Sequence, residues 1–447
     1  MLINKLNFNF LLKNYLDVGN NLFLTGIFLL PSAFPLGALF LLISIFIPFK
    51  NKKVNFLNNK WNLIFFICLI IIFLSTIYNS ILNPSDDLSD FDKSIIWLNL
   101  FNWIPIYFAY IGFQVYLKSE KQRLLFQKFL IAGTIPVIIS CMMQFFLKIH
   151  GPFETLFGTI VWFNYELLLN AEEQVQRATG LFSNPNYLGL WLTACLPFSI
   201  SLIKIEKNNS LNILILLFIN ILTIYFAFTT YSRNALLGII LTFIFLIERK
   251  KLINFVITFL ISALIFIYFL PNLLNIGVFN LYVNNVFQKF ASFTFSFDNP
   301  RIVIWSNAFD FISNRPILGW GAGTFPYIFS KNGNLDIPLT NYQHTHNLLI
   351  ELAYNFGIPV ALALISIFFL MLLKAYKKRD SFNGSSTEKI LNRALFASFS
   401  IFLVAHLTDI TYYDGKISIL FAILLANLKN IIEDEACYIS KTLTSDK

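Results

Sequence analysis

The segment HTHN, residues 344–347, places two of the chain's four histidines ahead of a long apolar run. Imidazole titrates near neutral pH, so His346 or His344 can accept a proton from a substrate hydroxyl. In an extended segment residues i and i+2 point the same way, so the pair could instead bind a metal. Zinc needs three or more ligands, however, and the neighbouring loops offer only His150 as a further imidazole. We predict a general base and no metal or cofactor, with an interfacial polar cap as the alternative.

A set of arginines could bind a phosphate-bearing substrate, namely Arg177, Arg233, Arg301 and Arg315. Each guanidinium offers a rigid fork of donors to phosphate oxygens, so several on one face would form a cradle for a diphosphate. The alternative for each is an arginine that reaches lipid headgroups or caps a neighbouring helix.

Polar residues continue from the histidines into the apolar run that follows. Asn347, Glu351 and Asn355 recur at i, i+4 and i+8, so they share one helix face that would enter the membrane. They can hydrogen-bond neighbouring helices, or Glu351 can orient His346 as a nearby carboxylate. A second cluster, AHLTDITYYDG, holds His406 and Asp409 near the end of another apolar run. An ionisable pair in such a place is a functional candidate.

The composition indicates that membrane helices position these residues. Hydrophobic residues make up 57% of the 447-residue chain, charged residues 13%, and the mean hydropathy is +0.67. Apolar runs near 20 residues recur, the length that crosses a hydrocarbon core of about 30 Å as a helix. We predict one all-α polytopic transmembrane domain, 1–447, with about twelve spans: 21–31, 35–48, 61–79, 94–115, 124–147, 187–203, 210–228, 234–248, 252–270, 347–373, 394–410 and 415–431.

Loop charges predict the orientation of these spans. Every second loop is rich in Lys and Arg, whereas the loop at 80–93 carries four aspartates. By the positive-inside rule the basic loops and both termini are cytoplasmic, which also accounts for the net charge of +9 without a nucleic-acid partner. The loops 148–186 and 271–346 then face the periplasm from a bacterial cytoplasmic membrane. The N-terminal segment shows no small-residue cleavage site, so we expect no removable signal peptide.

Both of these loops have patterns of their own. Loops beyond about 15 residues are usually functional or disordered. In the larger loop, NPRIVIWSNAFDFISNRP predicts a helix that begins at Pro300, carries Trp305 on its apolar face and ends before Pro316. In the smaller loop, FETLFGTIVWFNYELLLN predicts a segment lying at the membrane surface, because Glu154 and Glu166 make a full span unfavourable.

Four stretches resemble, in this order, the O-antigen ligase and polymerase superfamily of bacterial membrane glycosyltransferases. They are RATGLFSNPNYLGLWL, YSRNALLG, RIVIWSNAFDFISNRPILGWGAGTF and HTHNLLIELAYNFGIP, within roughly residues 175–360. The resemblance implies a glycan donor carried on undecaprenyl diphosphate at the periplasmic face, and an enzyme that needs neither a nucleotide sugar nor a metal. It implies lipid A core or another glycan as the acceptor.

The resemblance also suggests roles for individual residues. Arg233 in YSRN and Arg301, upstream of Trp305, match the family's diphosphate-binding arginines. The family's catalytic histidine directly precedes the asparagine of the next span, which matches His346, with His344 as a helper. The remaining candidates are further diphosphate-binding arginines and supporting residues: Arg177, Arg315, Asn347, Glu351, Trp305 and Asp409. Direct displacement by a hydroxyl predicts inversion at the anomeric carbon.

We expect an enzyme that resembles the ligases, with a polymerase or a protein O-oligosaccharyltransferase as the alternative. A different class also stays open, because LFSNPNYLGLW and LTDITYYDGK look similar to relatives linked to bicarbonate uptake. A transporter places ionisable groups in broken helices near the bilayer midplane. Here the charges gather at the outer interface beside a long loop, which favours the transferase.

Overall fold

A computed structural model describes residues 2–50, 59–82, 88–149, 153–155, 160–162, 168–170, 175–206, 208–247, 300–332, 343–378 and 385–445. Those residues are helical apart from loops and two short strand hairpins. Among them, seven helices are long and apolar enough to cross a membrane, and three shorter apolar helices accompany them. The all-α, multi-pass fold predicted from the sequence is confirmed. The predicted span at 252–270 lies outside the described residues.

The first part of the chain forms α1 to α6: Leu2–Leu29, Phe34–Lys50, Lys60–Ile77, Ser94–Leu100, Ile104–Phe113 and Glu120–Phe146. A π-helical turn, Tyr78–Leu82, extends α3, and a 3₁₀ turn, Gln114–Leu117, follows α5. The predicted span 94–115 is interrupted by a turn at 101–103, and its two helices with the 3₁₀ turn count together as one of the seven. Pro105 lies in the first turn of α5, where its missing N–H costs nothing, so the chain can restart a helix there.

The segment predicted to lie at the membrane surface contains strands in the structure. Phe153–Thr155 (β1) pairs antiparallel with Ile160–Trp162 (β2), and Leu168–Asn170 (β3) with Val175–Arg177 (β4). No helix occurs among the described residues of 150–177. The β-branched and aromatic residues of TIVWF favour strands.

The remaining helices are α7 to α15: Pro185–Ile205, Ser210–Thr229, Arg233–Leu246, Pro300–Asn314, Phe325–Asn332, Leu348–Phe356, Ile358–Lys378, Ser386–Ala405 and Gly415–Ser445. α10 is the helix predicted between Pro300 and Pro316. α7 and α15 are the most enclosed of the long apolar helices, whereas α3, α8 and α13 leave large hydrophobic side chains exposed on one side. Apolar faces of that kind suit contact with lipid tails.

The predicted span 347–373 divides at Gly357, which separates the short helix α12 from α13. Gly357 has φ +94°, and a Cβ there would overlap the carbonyl oxygen of Ile317. The following amide, Ile358 N, donates to Pro316 O at 2.8 Å. Glu351 therefore belongs to a nine-residue helix that precedes the long apolar helix, rather than to that helix itself.

Polar contacts link helix ends at the two ends of the bundle. At one end, Arg123 at the start of α6 pairs with Glu388 of α14 at 2.5 Å, and Lys128 pairs with Glu206 after α7 at 2.6 Å. At the other end, the beginning of α7, the α8–α9 turn and the loop after α14 come together. The candidate site lies at this second end.

Candidate active site

Several chain segments meet where the candidate residues lie. They are the start of α7, the turn between α8 and α9, the first turns of α10, the loop 343–347 and the loop 406–414. Asn234 of α9 links two of them, since it accepts a hydrogen bond from Thr408 Oγ1 at 2.7 Å and donates to Ala405 O at 3.3 Å. Asn347 Nδ2 donates to Leu407 O at 2.9 Å and joins the loops to each other.

His346 and Asp409 form the central pair. His346 Nδ1 lies 3.1 Å from Asp409 Oδ1, although 63 positions separate the two residues in the chain. An ionised carboxylate only accepts hydrogen bonds, so Nδ1 carries the hydrogen, and the lone pair of the neutral ring is on Nε2. The His346 side chain is 26% exposed and that of Asp409 is 6% exposed. A substrate can therefore reach the imidazole, while its partner stays shielded.

Asp409 is held on both oxygens. Asn186 Nδ2 donates to Oδ2 at 2.9 Å, and the backbone N–H of Ile410 donates to Oδ1 at 2.9 Å. Burial by itself would raise the pKa of Asp409. The hydrogen bond from His346, the charges of His346 and His344 and the Ile410 amide outweigh it and lower that pKa to about 2. Asp409 is thus a carboxylate throughout the neutral range.

His344 packs inside the same loop. Its ring is stacked on Tyr413 at 5.8 Å and meets the His346 ring edge-on at 4.2 Å between centroids. The backbone N–H of His346 donates to His344 Nδ1 at 3.3 Å, so the hydrogen of the neutral ring lies on Nε2. Burial, followed by the charges of His346 and Arg301, lowers the pKa of His344, although Glu351 and Asp409 act in the opposite direction. His344 is a neutral imidazole at neutral pH.

Thr345 anchors the backbone between the two histidines. Trp305 Nε1, from the second turn of α10, donates to Thr345 O at 2.8 Å. Thr345 N donates to Glu351 Oε2 at 3.0 Å, and the same carboxylate accepts from Tyr413 OH at 2.7 Å. These contacts support His346 at φ +56°, a left-handed conformation that is unusual outside glycine.

The sequence suggested Glu351 as the carboxylate that could orient His346. In the structure Asp409 makes that contact, while Glu351 binds the amide of Thr345 one residue earlier. Asn347 caps α12, because its Oδ1 accepts from the amides of Leu349 and Ile350 at 3.0 and 3.2 Å.

Arg233 and Arg301 come from different elements and lie on the same side as His346. Arg233 is the first residue of α9 and is exposed, whereas Arg301 is partly buried in the first turn of α10. Burial lowers the pKa of Arg301, as does the positive charge of Arg233, and the carboxylate of Asp409 raises it. Those influences require the three groups to be near one another. A guanidinium stays charged at neutral pH, so a patch of positive charge adjoins the histidine.

The structure does not bring Arg315 to this patch. It lies past the far end of α10, about 20 Å along the helix axis from Arg301 at 1.5 Å per residue. There it donates from Nη1 to Asn79 Oδ1 at 3.0 Å, and its guanidinium lies 4.5 Å from the Trp320 ring. Arg177 does lie at the site, where its guanidinium bonds the protein itself: Nε donates to Thr230 O at 2.8 Å, and Nη2 to Asn186 Oδ1 at 3.1 Å.

Asn186 and Tyr413 contribute to the site and were not singled out from the sequence. The motif SNPNYLGL signals a helix start, in which Asn184 caps α7 and Pro185 opens it. Capping accounts for Asn184 but gives Asn186 no local role. A polar residue without a local role was the sign in the sequence that pointed to Asn186. Nothing local indicates the contact of Tyr413 with Glu351, since 62 positions separate them.

A metal ion could also be held here. The ligand atoms of His344, His346 and Asp409 lie within 4.8 Å of one another. His150 is the further imidazole that the sequence offers, whereas the third possible ligand here is the carboxylate of Asp409. In the described geometry, however, Nδ1 of each histidine takes part in a hydrogen bond within the loop cluster. A metal would have to displace one of these bonds or use the opposite nitrogens.

Comparisons with known proteins agree with the motifs. Residues 218–365 match the family described as O-antigen ligase, a segment that includes Arg233, Arg301 and both histidines but not Asp409. The teichuronic acid biosynthesis protein TuaE of Bacillus subtilis (strain 168) is 26% identical over 247 residues, which is 52% of this chain and 47% of that protein. The match thus spans about half the length of this curated relative. Together these findings confirm that the chain resembles the O-antigen ligase superfamily.

Proposed function

We propose that this chain is a metal-independent, inverting glycosyltransferase of a bacterial cytoplasmic membrane. It transfers an oligosaccharide or polysaccharide from undecaprenyl diphosphate to an acceptor hydroxyl at the periplasmic face. The observation that carries the proposal is the His346–Asp409 pair at 3.1 Å beside Arg301 and Arg233, mostly within the segment that matches the O-antigen ligases.

His346 acts as the general base in this proposal. Its Nδ1–H is committed to Asp409, so Nε2 accepts the proton of the acceptor hydroxyl as that oxygen bonds to the anomeric carbon. Asp409 fixes the tautomer and stabilises the imidazolium that forms. His344, neutral and buried, helps by holding the amide of His346.

Arg233 and Arg301 stabilise the leaving group. As the new bond forms, the bond between the anomeric carbon and the diphosphate oxygen breaks, and its electron pair stays on the diphosphate. Two guanidinium groups facing that charge would stabilise it more as it grows. A diphosphate is already a good leaving group, so no general acid is required. Attack opposite the departing oxygen inverts the anomeric centre.

A transfer assay in proteoliposomes tests the base. Its donor is lipid-linked glycan extracted from a strain that lacks this chain. His346→Ala should lower the rate about 10²–10⁴-fold, the range of a positioned general base. His406→Gln, which removes a buried imidazole from the neighbouring loop, is the matched control and should retain transfer. Unchanged transfer by His346→Ala would exclude the role.

The acceptor is the finer part of the proposal, and lipid A core is our first choice. A polymerase that joins lipid-linked units is the second, favoured because the relative TuaE is named for teichuronic acid rather than for an O-antigen. A deletion strain separates the two. Loss of all long chains with accumulation of lipid-linked glycan indicates a ligase, and single-unit chains indicate a polymerase. A strain with intact surface polysaccharide but impaired uptake of inorganic carbon would contradict both.

A further inference from the structure

The amide of Asn186 lies between Arg177 and Asp409. Arg177 Nη2 donates to Asn186 Oδ1 at 3.1 Å, and Asn186 Nδ2 donates to Asp409 Oδ2 at 2.9 Å. We infer that Arg177 and Asn186 are positioning residues that fix the orientation of Asp409, and through it the base His346. The inference rests on the proposed function, because it assigns the base to His346. It makes Arg177 a support of that base rather than a ligand of the diphosphate.

Donor and acceptor chemistry fixes the direction of the hydrogen bonds that run from Arg177 through Asn186 to Asp409. A guanidinium has no acceptor, so Arg177 must face the oxygen of the Asn186 amide. The Arg177 Nε–H bond to Thr230 O, at 2.8 Å, holds the guanidinium in place. The NH₂ end of Asn186 therefore faces Asp409, and with the Ile410 amide and His346 on the other oxygen the carboxylate cannot rotate.

Asp409 in turn fixes the imidazole of His346. Asn186 Nδ2 holds Oδ2, so Oδ1 stays directed at His346 Nδ1. Without that donor the carboxylate can rotate, and Nε2 points at the acceptor hydroxyl in a smaller share of molecules. Loss of this support therefore slows the step that His346 carries out and leaves binding of the donor unchanged.

Transfer kinetics in proteoliposomes test the inference on Asn186. Asn186→Ala should lower kcat about tenfold, as loss of a supporting hydrogen bond does, and leave KM for the extracted lipid-linked glycan unchanged. Asn186→Asp keeps the acceptor for Arg177 but offers no donor to Asp409, so it should lower kcat at least as much.

Asn234→Ala is the matched control, because Asn234 anchors the same loop through Thr408 and Ala405 without a hydrogen bond to Asp409. In the Asp409→Asn background, Asn186→Ala should have no further effect on kcat, since Asn186 acts only through that carboxylate, whereas Asn234→Ala should change kcat by the same factor in both backgrounds. Wild-type kcat in both Asn186 variants, or an equal effect of Asn186→Ala in the two backgrounds, would overturn the inference.

Kinetics separate the two roles for Arg177. Arg177→Gln should lower kcat about tenfold, as loss of a supporting hydrogen bond does, and leave KM for the extracted lipid-linked glycan unchanged. A raised KM with unchanged kcat would identify Arg177 as a diphosphate ligand and contradict the inference. Transfer that depends on His346 but is unchanged by Asn186→Ala and Arg177→Gln would overturn this inference alone, whereas absence of transfer by the wild-type protein would overturn the proposed function.

Discussion

His346 has a backbone conformation that glycine adopts more readily than histidine. At φ +56° a non-glycine residue is strained by about 1–3 kcal/mol, and the contacts around Thr345 hold it there. His346→Gly should therefore fold without that strain and leave a space the size of an imidazole beside Asp409. We expect added imidazole to restore part of its glycan transfer, measured as initial rate against imidazole concentration.

The control for this rescue is Asp409→Asn, which keeps His346 and should gain nothing from imidazole. Equal stimulation of both variants, or none of His346→Gly at any concentration, would mean that the lost group is not a base at this position.

Two hypotheses, a general base at His346 and a metal ion held by His344, His346 and Asp409, predict opposite results when metal is removed or added. If His346 is the base, incubation with EDTA leaves the transfer rate unchanged. Added Zn²⁺ should inhibit it, because zinc binds imidazole and carboxylate and would occupy the atom that takes the proton. The measurement is the rate after chelation and after titration with ZnCl₂. Loss of activity in EDTA that zinc restores would show a metal enzyme instead.

The burial of His406 leads us to expect a lower free energy of unfolding in mild acid. Its Nδ1 donates to Phe402 O at 2.7 Å, and Thr411 hydroxyl bonds Nε2 at 3.2 Å. Burial lowers its pKa below the ordinary 6.5, although the Phe402 bond and the charge of Asp409 oppose this. Below about pH 6.5 the unfolded chain therefore binds a proton at His406 that the folded chain does not bind. The free energy of unfolding falls as the pH drops below that value.

Thermal unfolding in detergent at pH 7.5 and pH 5 measures this effect. His406→Gln should show a smaller fall in unfolding temperature than the wild type. Asp409, whose pKa is about 2, stays ionised in both buffers and adds nothing to the difference. Equal falls in the two proteins would contradict the assignment.

At the scale of the elements, the segment 316–321 clamps the junction of α12 and α13. Ile358 N donates to Pro316 O, Trp320 N to Tyr354 O at 2.8 Å, and Gly321 N to Asn355 O at 3.1 Å. Gly357→Ala would introduce a Cβ at φ +94° into the backbone of Ile317. We expect a loss of at least about 2 kcal/mol of stability, seen as reduced folded yield and a lower unfolding temperature.

Gly415→Ala is the matched control for Gly357→Ala. Its Cβ would meet the ring of Phe34, a side chain that can shift, and Gly415 has no positive φ. The cost should be smaller. Similar losses in the two variants would argue against the clamp.

The sequence predicted the long apolar helices well, because each carries its own evidence in about 20 consecutive residues. It could not place the break at Gly357, which depends on the close approach of Ile317, a residue 40 positions earlier in the chain. The strand hairpins were missed for a related reason. Strands of three residues carry too little periodicity to identify.

At the scale of the whole molecule, labelling can test the predicted orientation. Ser183 is exposed beside the candidate site, and Lys121 is exposed at the opposite end of the bundle. Cys68, Cys141 and Cys195 are buried, so replacing Cys437 leaves a suitable background. A membrane-impermeant maleimide should label Ser183→Cys in spheroplasts and Lys121→Cys only after permeabilisation. The reverse pattern would place the site in the cytoplasm.

The chemistry of the site was partly predictable for a physical reason. Histidine and arginine are rare in such apolar surroundings, so His346, Arg233 and Arg301 are conspicuous as single residues. Which groups face each other depends on tertiary packing. Glu351 lies on the helix that follows His346 and seemed its natural partner, whereas Asp409 reaches it from a loop 63 positions away.

The division of the site between chain segments has a consequence for recombination. The segment 218–365 contains His344, His346, Arg233 and Arg301, but Arg177, Asn186 and Asp409 lie on either side of it. A hybrid gene that exchanges only this segment with that of a relative would combine a base from one parent with a carboxylate support from the other. Working hybrids should therefore need exchange points before Arg177 and after Asp409.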